Sequence, residues 1–489
     1  MFGGFGLCCI AHFYNFAPLA ISAYVAIFAG FINNLKESFI MKSDEIHKWS
    51  FCYSLLRFYV KCVFRLYYKE ITVLGRENIP TTAPVIFSVN HQNGLMDAIA
   101  VVCTVPQQPV FLARADLFRR PLLRRLLTFL KIMPAYRIRD GYNNLSKNEE
   151  CFAKAVASLR ERKALCLMPE GNHGNQRKLR SLSKGIFRIA FRAQAEKGNM
   201  PFVKIVPVGL DYSHYERFRA RLVIRYGKPI DVSLYFPAYE CNPAKAYKDL
   251  GDRLRREMKR LILHVESSAH YDMIWALKDI YRDSLLHKMR LGGGNTVNMF
   301  SVDQQLLELL DWESARDEKF MDQAEGKIAL YNSMLSELRL RTWVLTCDSG
   351  NSLVLARKVV LSLFGVPVLV YGFVNNVIAY YVASWLSRSV KDPQFRSSFN
   401  FLTGVFCVPV INLVQVLILF YYCRSFILCG IYLVSIYVSG LTAYDIYVSI
   451  KSLVFLMRYR LGLRFKKGKY LTLKQTHEAL VGYVDAQIS

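Results

Sequence analysis

The stretch Phe87–Ala100, FSVNHQNGLMDAIA, places His91 directly after an apolar run and Asp97 six positions later. A neutral imidazole backed by a carboxylate is the usual device for taking a proton from a hydroxyl near neutral pH. The carboxylate fixes the ring's tautomer and stabilises the imidazolium that forms. Residues six apart on an ideal helix point about 240° apart, so this pair meets only across a bend. Asn93 and Gly94 are suited to make one. The plain alternative is that both side chains merely satisfy backbone groups in a turn.

Three further segments carry groups that belong with such a base. LMPEGNHG, Leu167–Gly174, ends a predicted strand with Pro169, Glu170 and Gly171, which sets a carboxylate in a tight turn; His173 follows as a structural or substrate-orienting group. MPAYRIRDG, Met133–Gly141, puts Arg137 and Arg139 at alternate positions after another strand, where both guanidinium groups share a face and reach one anionic ligand. IVPVGLDY, Ile205–Tyr212, closes the set. Taken singly, the arginines also read as a solvated face and Glu170 as a helix cap.

The elements that must position these groups run from about Ile71 to Leu234. Strands are expected in APVIFSVN, PVFLAR, IMPAYRI, ALCLMPE, VKIVPVGL and ARLVIRYG, and helices over Asp116–Lys131, Asn148–Arg162 and Ser183–Glu196. This alternation predicts an α/β domain with a mainly parallel central sheet and its chemistry at the strand ends. From Ala244 to Leu345 the pattern is that of charged amphipathic helices broken by LGGGN at Leu291–Asn295.

The rest of the chain is far more apolar. With 53% hydrophobic and 13% aromatic residues in 489, a membrane portion is expected. Val359–Leu386, Phe399–Cys423 and Ser425–Ala443 hold no charged residue, and each is long enough to cross a hydrocarbon core of about 30 Å. The basic stretch RYRLGLRFKKGK and the linker with Arg388, Lys391 and Arg396 should both stay cytoplasmic, which two spans between them satisfy. Val359–Leu386, with Pro367 and the pair Asn375 and Asn376 in its middle, is then expected as a re-entrant or interfacial hairpin, and Asp445 as an interfacial residue near the end of the last span. Met1–Asn34 lacks charge and reads as an anchor or as extension upstream of a start at Met41. Trp49–Ile71 carries Arg57, Lys61, Arg65 and Lys69 four apart, as a helix lying in the headgroup region or an ordinary amphipathic core helix would. The expected division is therefore 1–40 apolar segment, 41–70 membrane-associated helix, 71–240 α/β domain, 241–350 helical region, 351–450 membrane domain and 451–489 basic cytoplasmic tail.

The 64 Lys+Arg against 38 Asp+Glu give a formal charge of +26, which suits phosphate, anionic acyl carriers and anionic lipid. Much of it lies in Phe118–Lys131 and Asn175–Arg192, beside the candidate site. Three long apolar segments argue against a nucleic-acid partner. The twelve cysteines show neither a disulfide framework nor zinc spacing, and no GxSxG elbow is present.

The order of His91 and Asp97, the Arg137/Arg139 strand end, Pro169-Glu170-Gly171 and the Pro207 strand resembles the four blocks of the glycerolipid acyltransferase superfamily (PlsC-like). It is most similar to the glycerol-3-phosphate / lysophospholipid acyltransferase group of bacteria and fungi, and VPVLVYGFVNNVIAYYVASWLSRSVKDPQFRSS is similar to that group's C-terminal region. One departure is that five residues, Gln92–Met96, separate His91 from Asp97, where the superfamily pattern has four. The resemblance implies that His91, oriented by Asp97, acts as general base on a glycerol hydroxyl that attacks a fatty acyl thioester. It implies that Glu170 and Gly171, with Arg137 and Arg139, hold a polyol phosphate, and that Asn90 or backbone amides steady the oxyanion. No metal or cofactor is expected; acyl-CoA or acyl carrier protein is the co-substrate, and glycerol 3-phosphate or dihydroxyacetone phosphate the acceptor, in an early step of glycerophospholipid biosynthesis. The alternatives are a lysophospholipid or 1-acylglycerol-3-phosphate acceptor, and a membrane scaffold with an inactive acyltransferase domain.

Overall fold

A computed structural model describes residues 46–136, 145–171, 174, 176–196, 198, 201–292, 295–346, 352–390 and 392–488 of the chain. The apolar start, Met41, Arg137, Arg139 and His173 lie outside the described residues.

The first helix, α1 (Phe51–Tyr67), starts where Ser50 accepts a hydrogen bond from Tyr53 N at 3.3 Å. Then follow β1 (Glu70–Leu74), β2 (Val85–Val89), α2 (Leu95–Thr104), β3 (Val110–Arg114), α3 (Pro121–Phe129), β4 (Ile132–Ala135), α4 (Leu145–Arg160), β5 (Ala164–Leu167), α5 (Gly185–Ala195), β6 (Lys204–Tyr212), β7 (Arg221–Tyr226) and β8 (Ile230–Asp231). The strands form one eight-stranded sheet in the order β1-β7-β6-β2-β5-β3-β4, with β8 also paired to β6. The pairing is parallel except where β6 meets β7 and β8. The expected mainly parallel α/β sheet is therefore present. β1 escaped the sequence reading because EITVL is a short edge strand without a continuous apolar run, and β4 ends at Ala135, before the arginines.

β2 and β5 are buried along their whole length, as the centre of a sheet covered on both faces requires. One face packs under α4, α5 and the later helix Pro243–Lys259 through residues such as Leu159, Phe187, Phe191 and Leu254. The other is covered by α1 and α2, and also by Phe401 and Val405, some three hundred residues downstream. Each fully buried large apolar side chain contributes roughly 1.5–3 kcal/mol. Phe401 makes edge contacts with Phe64 and Tyr67 at 6.0 and 5.5 Å between ring centroids. Arg57, of the basic stripe, caps the end of α2, as a core helix allows: its Nε donates to Val102 O at 2.9 Å and its Nη1 to Gln107 O at 2.7 Å.

Beyond the sheet come α6 (Phe236–Cys241), α7 (Pro243–Lys259), α8 (Tyr271–Lys288), α9 (Thr296–Arg316), α10 (Glu318–Glu337), α11 (Trp343–Thr346), α12 (Ser352–Arg388), α13 (Arg396–Cys423), α14 (Phe426–Phe465) and α15 (Lys467–Ile488). Helices α8 to α10 share a core with α15 through Leu306, Leu310, Phe320, Leu473 and Leu480. Among the described residues three helices, α12, α13 and α14, are long and apolar enough to cross a membrane.

One expectation is corrected here. Val359–Leu386 is no hairpin but part of one continuous helix of 37 residues. Its polar pair bonds back within the helix, Asn375 Nδ2 to Tyr371 O at 2.8 Å and Asn376 Nδ2 to Gly372 O at 2.9 Å, so neither asparagine opens a turn. Asp445, expected at the interface, is partly exposed; α14 runs twenty residues past it, and its carboxylate pairs with Arg219 of the sheet domain at 2.7 Å.

Candidate active site

The C-terminal ends of β2, β5 and β6, three neighbours at the middle of the sheet, deliver the residues that matter. After β2 the chain passes Asn90, His91, Gln92 and Asn93 and turns at Gly94, whose φ of +52° a side chain would strain. That turn resolves the spacing problem: His91 stays before the helix while Asp97 enters its first turn, and the two come together across the bend. His91 Nδ1 lies 3.0 Å from Asp97 Oδ2.

Asp97 is fully buried and its carboxylate is surrounded by donors. Oδ2 also accepts from the backbone N–H groups of Gln92 and Asn93, both at 2.8 Å, and Oδ1 accepts from the Tyr212 hydroxyl at 2.8 Å. Burial, with Asp97 alongside, holds the Tyr212 hydroxyl well above the usual phenol range, so it remains a donor. The His91 side chain is 15% exposed. A buried carboxylate oriented by four donors, with a partly exposed imidazole as one of them, can fix the tautomer in which Nε2 is the base.

Glu170 sits in the turn after β5 and acts as a clamp. Its Oε1 accepts from His91 N at 2.9 Å and its Oε2 from Arg180 N at 3.1 Å, which fastens the His91 loop to the segment leading into α5. Burial pushes its carboxyl above the usual value against the pull of those two amides. Gly171 has φ +63°, and a side chain there would meet nothing within 4 Å, so the space beside it is open. Asn90 requires correction as a substrate contact. It is 1% exposed, and its carboxamide donates to Leu210 O at 3.1 Å and accepts from Leu210 N at 2.7 Å. It thus extends the β2–β6 pairing by one side chain and braces the loop from behind.

Several residues of this site were not singled out in the sequence. Arg180 was hidden among the six basic residues of Asn175–Arg192; its guanidinium packs over Gly174 and draws the Glu170 carboxyl down electrostatically. Gln92 accepts from the Tyr215 hydroxyl through Oε1, while its Nε2 is buried without a partner among the described residues. Tyr212, Ser397 and Ser398 carried no local signal at all, since their partners lie more than a hundred residues away. Arg177, in the same basic run, is taken up by an ion pair: it pairs with Asp211 and lies over the Tyr215 and Trp275 rings at 5.1 and 4.8 Å. Among the described residues no cluster of three or more metal-ligating side chains occurs.

Residues 70–211 match the family model described as Acyltransferase. The chain is 26% identical over 226 residues to glycerol-3-phosphate O-acyltransferase 2 of Saccharomyces cerevisiae, a stretch covering 45% of this chain and 29% of that protein. It is 23% identical over 143 residues to glycerol-3-phosphate O-acyltransferase 1 of the same yeast, covering 29% of this chain and 19% of that one. The matches thus span less than a third of either yeast protein. The crystal structure of the 1-acyl-sn-glycerophosphate (LPA) acyltransferase PlsC from Thermotoga maritima aligns with 52% of this chain and 95% of its own, at 20% identity and a TM-score of 0.33.

Proposed function

We propose, taking as premise that the sheet domain belongs to the acyltransferase family, that this chain transfers a fatty acyl group to the hydroxyl of a glycerol phosphate. The donor in this reading is a thioester, acyl-CoA or acyl carrier protein, and the acceptor is glycerol 3-phosphate or dihydroxyacetone phosphate. The observation that carries it is the His91–Asp97 pair, 3.0 Å apart at the end of a central strand.

In the reaction, His91 Nε2 takes the acceptor's hydroxyl proton as its oxygen attacks the thioester carbonyl carbon. Asp97 stabilises the imidazolium formed on the far side of the ring. The tetrahedral intermediate collapses with loss of the C–S bond, and the departing thiolate recovers the proton from His91. Ester, thiol and neutral imidazole are left. Because proton transfer and attack occur in one complex, no acyl-enzyme is required. Arg180, with Arg137 and Arg139, supplies positive charge for the acceptor's phosphate. A guanidinium about 4 Å from a phosphate gains several kcal/mol at an intermediate dielectric, enough to orient the acceptor. The unpaired Gln92 Nε2 is a donor within the same loop for the oxyanion. Glu170 and Gly171 shape the turn, Glu170 by clamping and Gly171 by leaving room. No cofactor enters this scheme.

A lysophospholipid acceptor is a second reading, favoured by one contact: the loop carrying the base touches the start of α13, a helix apolar enough to enter a bilayer. In both readings α12 to α14 insert in a membrane and the sheet domain lies on its cytoplasmic side.

The test is radiolabelled acyl transfer by membranes containing the wild type or His91→Ala, with glycerol 3-phosphate and lysophosphatidic acid offered separately. Wild-type product from glycerol 3-phosphate, lost at least about 100-fold in the variant, supports the first reading. Product from the lysolipid alone selects the second. Wild-type product from neither acceptor overturns both, and a cellular role that survives His91→Ala points to an inactive scaffold.

A further inference from the structure

Helix α2 carries Asp97 in its first turn, yet nothing in its own sequence caps it, since Gly94 at its start has no side chain. The cap comes from α13. Ser398 Oγ accepts from the Leu95 N–H at 3.2 Å, filling one of the donor positions that a helix start leaves unpaired. One residue earlier, Ser397 Oγ donates to Asn93 Oδ1 at 2.5 Å. Asn93 in turn donates its backbone N–H to Asp97 Oδ2, so Ser397 stands two bonds from the carboxylate that orients His91. Both serines are almost fully buried, at 1% and 3% exposure, and Asn93 at 0%. The Phe395 ring closes the arrangement over Gly94, where an added Cβ would lie 3.2 Å from the ring and 3.3 Å from Ser398 Oγ.

This is more than surface contact. Phe401 and Val405, one and two turns further along α13, are part of the core beneath the same face of the sheet, and the Tyr59 hydroxyl of α1 donates to Val405 O at 2.6 Å. The first turns of a helix apolar enough to cross a membrane are thus built into the catalytic loop and its support.

We propose that Ser397 and Ser398 are positioning residues for acyl transfer. They hold Asn93 and Leu95, and through them Asp97 and His91, so that the base takes its working geometry only with α13 seated. The kinetic part of this inference rests on the acyl-transfer reading above; the structural part stands without it. The serines touch no substrate in this scheme. Their loss therefore falls on kcat, where misplacement of a base by a fraction of an ångström to one ångström lowers the rate about 10- to 100-fold, and leaves substrate binding in place.

The test uses the full chain in detergent or lipid. Ser397→Ala/Ser398→Ala should lose about 10-fold or more in kcat, with KM for donor and acceptor within about twofold. Hydrogen exchange should quicken at the amides of Gln92, Asn93 and Leu95 and stay slow in β2 and β5, which also shows that the variant is folded. A cycle with Asn93→Ala supplies the second variant. If Ser397 acts through Asn93, the Asn93→Ala/Ser397→Ala protein is no slower than Asn93→Ala alone. An unchanged kcat, a loss carried by KM, or losses that multiply in the cycle would each overturn the proposal. Should the wild type acylate neither acceptor, the functional reading fails by itself. Exchange then decides: unchanged rates at Gln92, Asn93 and Leu95 in the serine variant reject the coupling, and faster rates confined to that loop uphold it.

Discussion

Two carboxylates are tied to the end of β6, Asp97 fully buried and Asp211 14% exposed, and they are held in opposite ways. Asp97 is surrounded by neutral donors, the Gln92 and Asn93 amides and the Tyr212 hydroxyl, with the His91 ring as the contact that can take up a positive charge. Asp211, one residue before Tyr212, is paired with the permanently charged Arg177, whose guanidinium is also bonded to Tyr212 O and sandwiched against Tyr215 and Trp275. A carboxylate whose charge is already matched by a guanidinium has nothing to offer a reaction; it locks the sheet to the helices behind it. A carboxylate held by neutral donors keeps its charge available for an imidazole that gains and loses a proton. The nature of the partner separates the carboxylate proposed to work with a base from the one held in a permanent ion pair.

This contrast can be broken most sharply at Asp97. Asp97→Asn must turn an amide NH2 towards at least one group that is itself a donor and withdraws the negative charge behind the ring. Acyl transfer should fall roughly 100-fold or more, with the thermal midpoint changing far less than the rate. Near-normal turnover in that variant would remove Asp97 from the mechanism.

The mirror experiment is Asp211→Ala, which leaves Arg177 buried without its counter-ion. A cost of about 3–5 kcal/mol is expected, read as a large fall in thermal midpoint in detergent. The fraction that remains folded should turn over within a few-fold of wild type. A variant of normal stability would mean that the pair is not a lock.

Between the two lies Tyr212→Phe, since Tyr212 donates to one carboxylate through its side chain and borders the other through its backbone. Losing one neutral donor to Asp97 should cost about 1 kcal/mol, or up to about tenfold in kcat. Unchanged kcat would show that the backbone amides alone orient Asp97.

The smallest effect concerns Glu170, a carboxylate bonded to two amides whose proton affinity burial raises above the ordinary 4.5. Within the window between 4.5 and its raised value, the folded chain keeps a proton that the unfolded chain has lost. Stability therefore declines as pH rises through that window. Glu170→Gln has lower stability throughout, because its NH2 cannot accept from His91 N or Arg180 N, but it should lack that part of the decline. Parallel slopes of thermal midpoint against pH in the two proteins would contradict this.

How much of this was legible beforehand follows the range of each interaction. His91, Asp97 and the turn holding Glu170 sit inside short motifs next to continuous apolar strands, so type and neighbourhood sufficed. The bend that unites His91 with Asp97 was readable as a need, met by Gly94. Asn90 misled because a polar residue beside a base looks like a substrate contact, whereas its partner is the backbone of Leu210, 120 residues away. Arg180 and Arg177 were indistinguishable in a basic run, and only the fold sends one to the site and the other to Asp211. The asparagines of α12 suggested a break because composition does not reveal that they bond to carbonyls one turn back. The serines of α13 were out of reach, their hydroxyls serving a loop 303 or 304 residues earlier.

The ion pair between Arg219 and Asp445 has a consequence of its own when set beside the seat of the His91 loop on α13. It fastens the sheet domain to a second helix of the same apolar group, α14. A body hinged at one place swings, and one hinged at two turns only about the line between them. The packing of α1 on Phe401 and Val405 then obstructs that turning as well. With these helices embedded, the tilt of the site's mouth and its height above the lipid are set when the chain folds. In the proposed reaction, substrates then come to an opening that does not move to meet them.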